Sequence, residues 1–176
     1  MLSVALVTGG SALILAVVLF GRSHPHAIKP PAITLPPAAQ RRAAPAFQAQ
    51  TLHGDALSLA TYRGKPLVIN FFAPWCLPCR DEAQQLVTLD QHFGTRIGML
   101  SVAVRTDHRS KLNAFIRSFH VTWPVVWDRR GAMIDSYQIP VQPITYVIDG
   151  QGRVVYKILG QITEPEVGGI LNRLLA

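Results

Sequence analysis

The sequence predicts an α/β protein: a three-layer α/β/α sandwich with a mixed central sheet, preceded by an N-terminal transmembrane helix. Short apolar runs alternate with segments whose apolar residues recur at helical spacing, which is typical of parallel strands joined by helical crossovers. Near the C-terminus two strands are separated only by a Gly-containing turn, which predicts an antiparallel pair. A stretch without charged residues precedes the whole arrangement.

This uncharged stretch opens the chain. Residues Leu2 to Phe20 carry no charged side chain, and a membrane-spanning helix needs about 17–25 apolar residues. The next residues, Gly21 to Pro25, offer no small-residue cleavage site of the kind that ends a secretory signal peptide. We therefore expect residues 1–20 to form an uncleaved signal anchor, with a cleaved signal peptide as the alternative.

The charges around the anchor bear on its orientation. No Lys or Arg precedes it, whereas Arg22 and Lys29 come after it, and the positive-inside rule would keep such a flank in the cytoplasm. Long domains can cross the membrane against this bias, and we favour the outside location because of the redox chemistry indicated by the two cysteines. We therefore expect a single-pass protein of the cell membrane whose domain is extracytoplasmic, in the periplasm or at the outer face.

A proline-rich linker is predicted at residues 21–45. It holds six of the 13 prolines and shows no hydrophobic periodicity, a composition typical of a semi-rigid spacer. Residues 1–45 carry four basic and no acidic residues, so the rest of the chain accounts for only +3 of the net charge of +7. No basic stripe with interleaved aromatic residues occurs, which argues against nucleic acid and favours a basic flank beside anionic lipid.

The folded domain is expected at residues 46–176, and its first half alternates strands with helices. The first strand shows alternating polarity, whereas the next is almost continuously apolar, as a central strand covered on both faces should be. Helices are indicated where apolar residues recur at i, i+3, i+4 and i+7. In order, we predict strands at residues 47–51 and 66–72, a helix at 77–92, a strand at 97–104 and a helix around 112–119.

The second half of the domain adds an antiparallel hairpin and a final helix. The turn Asp149-Gly150-Gln151-Gly152 joins the two strands of the hairpin. Thr163 with Glu166 three residues later predicts a capping box at the start of the last helix, whose apolar residues recur at helical spacing. We predict a short strand at residues 124–127, a short helix at 132–137, hairpin strands at 144–148 and 154–156, and a helix from Thr163 onward.

The chain has only two cysteines, Cys76 and Cys79, and both lie where a buried strand gives way to a helix. The unpaired N–H groups and the dipole of a helix N-terminus stabilise a thiolate on the first cysteine. The second comes about one helical turn later, close enough to form a disulfide, and Pro78 suits the first turn. We expect Cys76 to attack a substrate disulfide and Cys79 to resolve the mixed intermediate.

Two other uses of a Cys-x-x-Cys pair are weaker. A structural zinc site needs four ligands, and the six histidines form no pair at ligand spacing in the predicted domain. A purely structural disulfide across so short a loop would add little stability. Redox chemistry without a bound cofactor or metal is the prediction.

Three segments resemble thioredoxin-like proteins, and specifically the bacterial membrane-anchored TlpA/ResA group. The segment NFFAPWCLPCRDE at residues 70–82 is similar to the active-site segment of that family. The segments at residues 57–66 and 141–149 resemble regions before and after it, so the resemblance covers residues 46–176. It implies a thioredoxin-like fold.

The resemblance also implies roles for individual residues. Pro143 corresponds to the cis-proline that faces the disulfide, where the family pairs main-chain groups with an extended substrate chain. Pro143 is therefore expected at the catalytic site, with Gln142 and Ile144 beside it in substrate binding. Trp75 and Pro78 are expected to contact substrate beside the sulfurs, whereas Trp123 and Trp127 are expected in the core.

Two positions depart from related families. Thioredoxins carry a buried Asp beneath the cysteines as proton acceptor, but the matching residue here is Asn70, which cannot titrate. Asp107 lies near the place from which an acidic residue serves in the ResA group, and we predict it as the catalytic acceptor, with His108 as a weaker candidate. A helix N-cap or a solvated loop charge are the alternatives for Asp107. Peroxidase relatives need Thr or Ser where Ala73 stands, so a peroxiredoxin is disfavoured.

The resemblance implies dithiol–disulfide exchange on protein substrates. Expected substrates are the haem-attachment cysteines of apocytochromes c or the thiols of copper-delivery proteins. Electrons would come from a membrane thiol carrier of the CcdA or DsbD type. The residues alone also permit a disulfide-donating oxidase. A thioredoxin-like copper-binding chaperone is a further alternative, although no histidine occurs after His120.

Overall fold

A five-stranded mixed sheet forms the centre of the protein, and a computed structural model describes it within residues 34–106 and 108–176. The strands and helices confirm the predicted order and add one strand. The strands are β1 (Gln48–Gln50), β2 (Ala56–Ser58), β3 (Leu67–Phe72), β4 (Gly98–Ala103), β5 (Val125–Trp127), β6 (Ile144–Ile148) and β7 (Val154–Leu159). The helices are α1 (Leu77–Phe93), α2 (Arg109–Ser118), α3 (Ala132–Tyr137) and α4 (Glu164–Leu175).

The central sheet has the strand order β5-β4-β3-β6-β7. Strands β3, β4 and β5 are parallel, whereas β6 is antiparallel to both β3 and β7. The predicted mixed sheet is therefore confirmed. All six residues of β3 are buried, because this strand lies in the middle of the sheet and both of its faces are covered.

Helices α1, α2 and α4 cover one face of the sheet. The chain steps from β3 to β4 to β5 in one direction, so right-handed crossovers place α1 and α2 on the same side. Val68 packs with apolar residues of α1 and α4, and Phe72 packs with Leu112 and Phe115 of α2. This face therefore positions α1, whose N-terminus comes directly after β3.

The opposite face is covered by α3 and by a separate two-stranded sheet. Met133 and Tyr137 of α3 pack against β3 residues such as Ile69 and Phe71. Strand β1 confirms the predicted first strand, but it pairs with β2 outside the central sheet. Strand β2 was not predicted because three residues are too few to show a period.

The segment before the predicted domain also makes contacts with it. Leu35 packs against the core, the Arg41 guanidinium pairs with Asp149, and residues Arg42 and Ala44 bond the main chain of the β6–β7 hairpin. These contacts begin before Ala46, in residues that the sequence assigned to the linker. The predicted membrane anchor at residues 1–20 lies outside the described residues; between residues 34 and 176, Asp107 apart, no helix has the length and apolar character to span a membrane.

The start of α4 differs from the prediction in its capping. Thr163 occupies the N-cap position, but its side chain makes no capping hydrogen bond, so the predicted capping box is wrong. Instead the Glu164 N–H donates to the side-chain oxygen of Gln85 on α1, at 2.9 Å. A tertiary contact thus satisfies a main-chain donor that a local cap would otherwise serve.

Candidate functional site

Cys76 and Cys79 form a disulfide at the N-terminus of α1. Cys76 is the N-cap residue, and its sulfur accepts a hydrogen bond from the Cys79 N–H at 3.2 Å. The Cys76 side chain retains a little exposure, at 5%, whereas Cys79 is 1% exposed. Of the two sulfurs, Cys76 is therefore the one that an approaching thiol or disulfide meets first.

The loop that precedes β6 lies against Cys76. The Gln142–Pro143 peptide bond is cis, in agreement with the predicted cis-proline. The carbonyl oxygen of Gln142 lies 3.8 Å from the Cys76 sulfur, and Pro143 is buried beside it. Ile144 is fully buried, begins β6 and is paired with Phe71 of β3 and Leu159 of β7, so the structure does not present it to a substrate as the sequence predicted.

Exposed apolar side chains flank the disulfide. Trp75, Leu77 and Val141 are 56%, 72% and 55% exposed, and we call these three residues the apolar rim. The sequence predicted the exposure of Trp75 but offered no reason to single out the other two. Pro78 is exposed as well, and its carbonyl accepts a hydrogen bond from Gln161 at 3.1 Å.

Sequence reasoning missed a buried carboxyl group on α1. Glu82 is 1% exposed, and its oxygens accept hydrogen bonds from the Asn70 amide at 2.7 Å and from the Ile162 N–H at 3.2 Å. Burial disfavours the charged form and raises the pKa of Glu82 to about 7, although these two hydrogen bonds act in the opposite direction. Glu82 can therefore exchange a proton near neutral pH.

The spacing of α1 contained a signal for Glu82. Residues Cys79, Glu82, Ala83 and Leu86 share one helix face because they lie three, four and seven positions apart. All four are buried, whereas Arg80 and its acidic neighbour Asp81 are exposed. An acidic residue on the same buried helix face as the second cysteine is therefore expected to be buried rather than solvated. The helical spacing of the sequence could have identified Glu82 in this way.

Asn70 lies beneath Glu82 in the central strand β3. Its side-chain amide donates to Glu82 and also to the Thr145 hydroxyl, at 3.1 Å. Asn70 and Thr145 are buried and face each other across β3 and β6. The position that carries the carboxyl group in thioredoxins therefore holds a donor here, and the carboxyl group comes from α1.

Of the two acceptor candidates from the β4–α2 connection, the structure describes only His108. Asp107 lies outside the described residues, so its role stays a prediction; the N-cap position of α2 falls on His108, not on Asp107. His108 is exposed and its side chain makes no capping bond. Trp123 is buried, as predicted, and Trp127 is half-buried. Within residues 34–106 and 108–176, no three His, Cys, Asp or Glu side chains cluster closely enough to hold a metal ion.

Comparisons with known proteins indicate one family for this chain. The AhpC/TSA family matches residues 41–157. The thioredoxin-like protein YneN of Bacillus subtilis is 30% identical over 126 residues, which cover 70% of this chain and 74% of that protein. The thiol–disulfide oxidoreductase ResA of the same organism is 30% identical over 130 residues, covering 73% and 72% of the two chains.

A solved structure supports the fold. A thiol:disulfide interchange protein of the thioredoxin family from Chlorobium tepidum superposes with a TM-score of 0.68 at 25% identity, covering 80% of this chain and all of that one. This chain therefore belongs to the AhpC/TSA family with a thioredoxin-like fold, and like its ResA relatives it is a thiol–disulfide oxidoreductase.

Proposed function

We propose that this protein reduces disulfides of protein substrates outside the cytoplasm, through Cys76 and Cys79, while a signal anchor holds it in the cell membrane. One observation supports the proposal most directly. Cys76, the more exposed of the two cysteines at 5%, lies beside the Gln142 carbonyl and the cis-proline loop, whereas Cys79, at 1%, lies on the helix face that carries Glu82. This asymmetry separates an attacking thiol from a resolving thiol.

The first step is attack by the reduced protein. The Cys76 thiolate, stabilised at the N-terminus of α1, attacks one sulfur of the substrate disulfide. The substrate S–S bond breaks, a bond between Cys76 and that sulfur forms, and the second substrate sulfur leaves as a thiolate that takes up a proton. The main chain of Gln142 pairs with the substrate chain during this step, and Trp75 and Pro78 contact its side chains.

The second step resolves the mixed disulfide. The Cys79 thiol transfers its proton to the Glu82 carboxylate, and the resulting thiolate attacks the Cys76 sulfur. The Cys76–Cys79 bond forms and the remaining substrate thiolate is released. The substrate gains two electrons and becomes a dithiol, while the protein becomes the disulfide seen here.

Asp107 was the sequence-based candidate for this proton transfer. Glu82 is the better supported acceptor, because its burial, its position on the Cys79 face of α1 and its pKa near 7 all suit the transfer. The two candidates are distinguished by an Asp107→Asn variant, which should leave the resolution rate unchanged, and a Glu82→Gln variant, which should slow it.

The exposed apolar rim beside Cys76 offers contact surface to a protein chain, so protein substrates with an exposed disulfide suit the site better than small molecules do. We propose the haem-attachment cysteines of apocytochromes c, or the thiols of copper-delivery proteins, as substrates. A membrane thiol carrier of the CcdA or DsbD type would return the protein to its dithiol form. A Cys79→Ser variant, which cannot resolve, should accumulate a mixed disulfide with the substrate in cells, and mass spectrometry of the trapped partner identifies it.

The direction of electron flow is tested by the reduction potential of the pair. A value near or below about −220 mV, measured by equilibration with glutathione or dithiothreitol, supports a reductase. A value near about −120 mV would instead indicate a disulfide donor. The location is tested separately by fusing a reporter enzyme after residue 45. The reporter is one that is active only outside the cytoplasm, so its activity shows whether the anchor exports the domain.

A further inference from the structure

Arg105 contacts two elements next to Cys76, Trp75 and the 139–142 loop, which we call the two walls of the site. It lies in the connection between β4 and α2, where no strand or helix constrains it. Its φ angle is 47°, in the left-handed region that residues other than glycine rarely adopt. Such a conformation persists only where surrounding contacts hold it, and it often marks a site of functional constraint.

The first wall is Trp75. The indole N–H of Trp75 donates to the main-chain carbonyl of Arg105 at 2.9 Å. Trp75 is more than half exposed, so packing alone does not restrict its ring to one rotamer. The hydrogen bond to Arg105 therefore selects the orientation in which the ring flanks the disulfide.

The second wall is the loop that carries the cis-proline. The Arg105 guanidinium donates to the side-chain oxygen of Gln142 at 3.0 Å, to the carbonyl of Ile139 at 2.8 Å and to the carbonyl of Pro140 at 3.4 Å. These three acceptors span residues 139–142, the segment that leads into Pro143. One side chain therefore ties the whole loop to the β4–α2 connection.

The chemistry of the guanidinium suits this bridging role. All three acceptors are neutral oxygens, and none of the ion pairs within residues 34–106 and 108–176 involves Arg105. A guanidinium presents its donors in a rigid planar fork, so it can hold several acceptors at once, whereas a lysine ammonium is a point charge on a flexible stem. The three hydrogen bonds therefore depend on the planar geometry of the guanidinium and not on its charge alone.

We propose that Arg105 is a positioning residue for substrate recognition, holding Trp75 and the 139–142 loop, the two walls of the site, in place beside Cys76. The inference rests on the proposed exchange with protein disulfides and adds a determinant of substrate binding to it. Arg105 touches neither sulfur, so the reactivity of the Cys76–Cys79 pair itself should not depend on it.

The test uses the full-length chain in detergent micelles with a disulfide-linked peptide as substrate. Arg105→Met removes the fork while keeping the length of the side chain, and Arg105→Lys keeps the charge but not the fork. Arg109→Met is the matched control, because Arg109 is also exposed and donates to a main-chain carbonyl, that of Leu52 at 2.7 Å, away from the cis-proline loop.

The expected result is a selective loss. Both Arg105 variants should raise KM for the peptide roughly tenfold, because a misplaced binding loop weakens recognition, while kcat changes little. The reduction potential and the rate of reduction by dithiothreitol should match wild type, which also shows that the site is intact. Arg109→Met should behave as wild type throughout.

Other outcomes would overturn the inference in distinguishable ways. If Arg105→Lys retained the wild-type KM, substrate binding would depend on the charge of residue 105 and not on the planar fork. If Arg105→Met retained the wild-type KM as well, Arg105 would have no role in substrate binding. A shift of the potential in either variant would mean that Arg105 acts on the sulfurs. If the wild-type protein failed to reduce the peptide at all, the proposed function would fail rather than this refinement of it.

Discussion

The side-chain amide of Asn70 donates a 2.7 Å hydrogen bond to Glu82, and both groups are almost completely buried beneath the disulfide. The contact joins the central strand β3 to α1. Because an amide can donate but cannot take up a proton, the only titratable member of the pair is the one on the helix. The proton chemistry beneath the cysteines is therefore concentrated on Glu82, whose pKa burial raises to about 7.

Replacing Glu82 should slow the resolving step. In Glu82→Gln the Cys79 thiol loses its proton acceptor, so we expect the rate of mixed-disulfide resolution to fall roughly 100-fold, within the usual range for general base catalysis. In wild type this rate should rise with pH and level off above about 7, because only ionised Glu82 accepts the proton. Stopped-flow measurements of resolution across pH check both expectations.

A second carboxyl group provides the control for this measurement. Glu166→Gln changes a residue on α4, outside the site, by the same chemical alteration. It should leave the rate and its pH profile unchanged. An unchanged inflection near pH 7 in Glu82→Gln would assign the titration to another group.

Burial of Glu82 should also make stability depend on pH. Its pKa is higher in the folded protein than its ordinary value of 4.5, so the folded state binds more protons between these values. The contribution of Glu82 to stability is therefore most favourable below about pH 4.5 and falls as pH rises to about 7, by about 3 kcal/mol. Urea unfolding of oxidised wild type and Glu82→Gln at several pH values isolates this contribution, because the other titrating groups are common to both.

Asn70→Asp should test the pair from the strand side. The substitution puts two carboxyl groups within hydrogen-bonding distance, and two like charges this close cannot both ionise readily. The pair should then hold one proton to higher pH, which moves the inflection of the resolution rate above about 7. The loss of stability relative to wild type should grow from pH 5 to pH 8. A variant that is equally destabilised at both pH values would indicate a packing defect rather than a charge effect.

The sequence was sufficient for the central sheet and its helices because their patterns are long and regular. The apolar run of β3 is continuous over the whole strand, the stripe of α1 extends over several helical turns, and the hairpin turn before β7 is chemically distinctive. The three-residue strand β2 shows no period, and the start of α4 is stabilised by Gln85 from another helix. Contacts of that kind depend on tertiary packing that no local pattern encodes.

The candidate site could be predicted where a residue type limits the chemistry. Two cysteines in one motif were enough to indicate a redox disulfide, whereas the cis-peptide bond before Pro143 was predicted from the family resemblance. Glu82 was missed because it lies in a run of three charged residues, which on its own indicates a solvated surface. The bridge made by Arg105 joins segments far apart in sequence, so only the folded chain shows it.

The apolar rim should contribute to substrate affinity. Leu77 is 72% exposed in the first turn of α1, so Leu77→Ser should fold normally while removing apolar contact surface next to Cys76. We expect KM for a peptide with apolar residues beside its disulfide to rise roughly tenfold, as expected for the loss of one buried leucine contact. Leu175→Ser, on an exposed position of α4, is the control. For a polar peptide, KM should be the same in wild type, Leu77→Ser and Leu175→Ser, which would show that the effect of Leu77 depends on apolar contact.

Asp149 should anchor the segment before the domain. It is 4% exposed and accepts hydrogen bonds from two arginines, Arg41 in that segment and Arg153 in the hairpin. Burial alone would raise its pKa, but these bonds and the Arg153 N–H outweigh burial and hold the pKa below the ordinary value of 3.8. Ionised Asp149 therefore stabilises the fold above that value, and this contribution is lost as pH falls through its lowered pKa.

Asp149→Asn should consequently destabilise the protein by about 2 kcal/mol at pH 7, because it leaves two partly buried guanidinium groups without their carboxylate. The deficit should shrink as pH falls below 3.8, where wild-type Asp149 becomes protonated too. Arg41→Ala should cost less, since Arg153 keeps its carboxylate partner, but it should release the segment before Ala44 to proteolysis. Since β6 runs from the cis-proline loop to Asp149, this cleavage occurs at the end of the sheet away from Cys76, and disulfide exchange should survive it. Loss of exchange on cleavage would show that the segment supports the site itself.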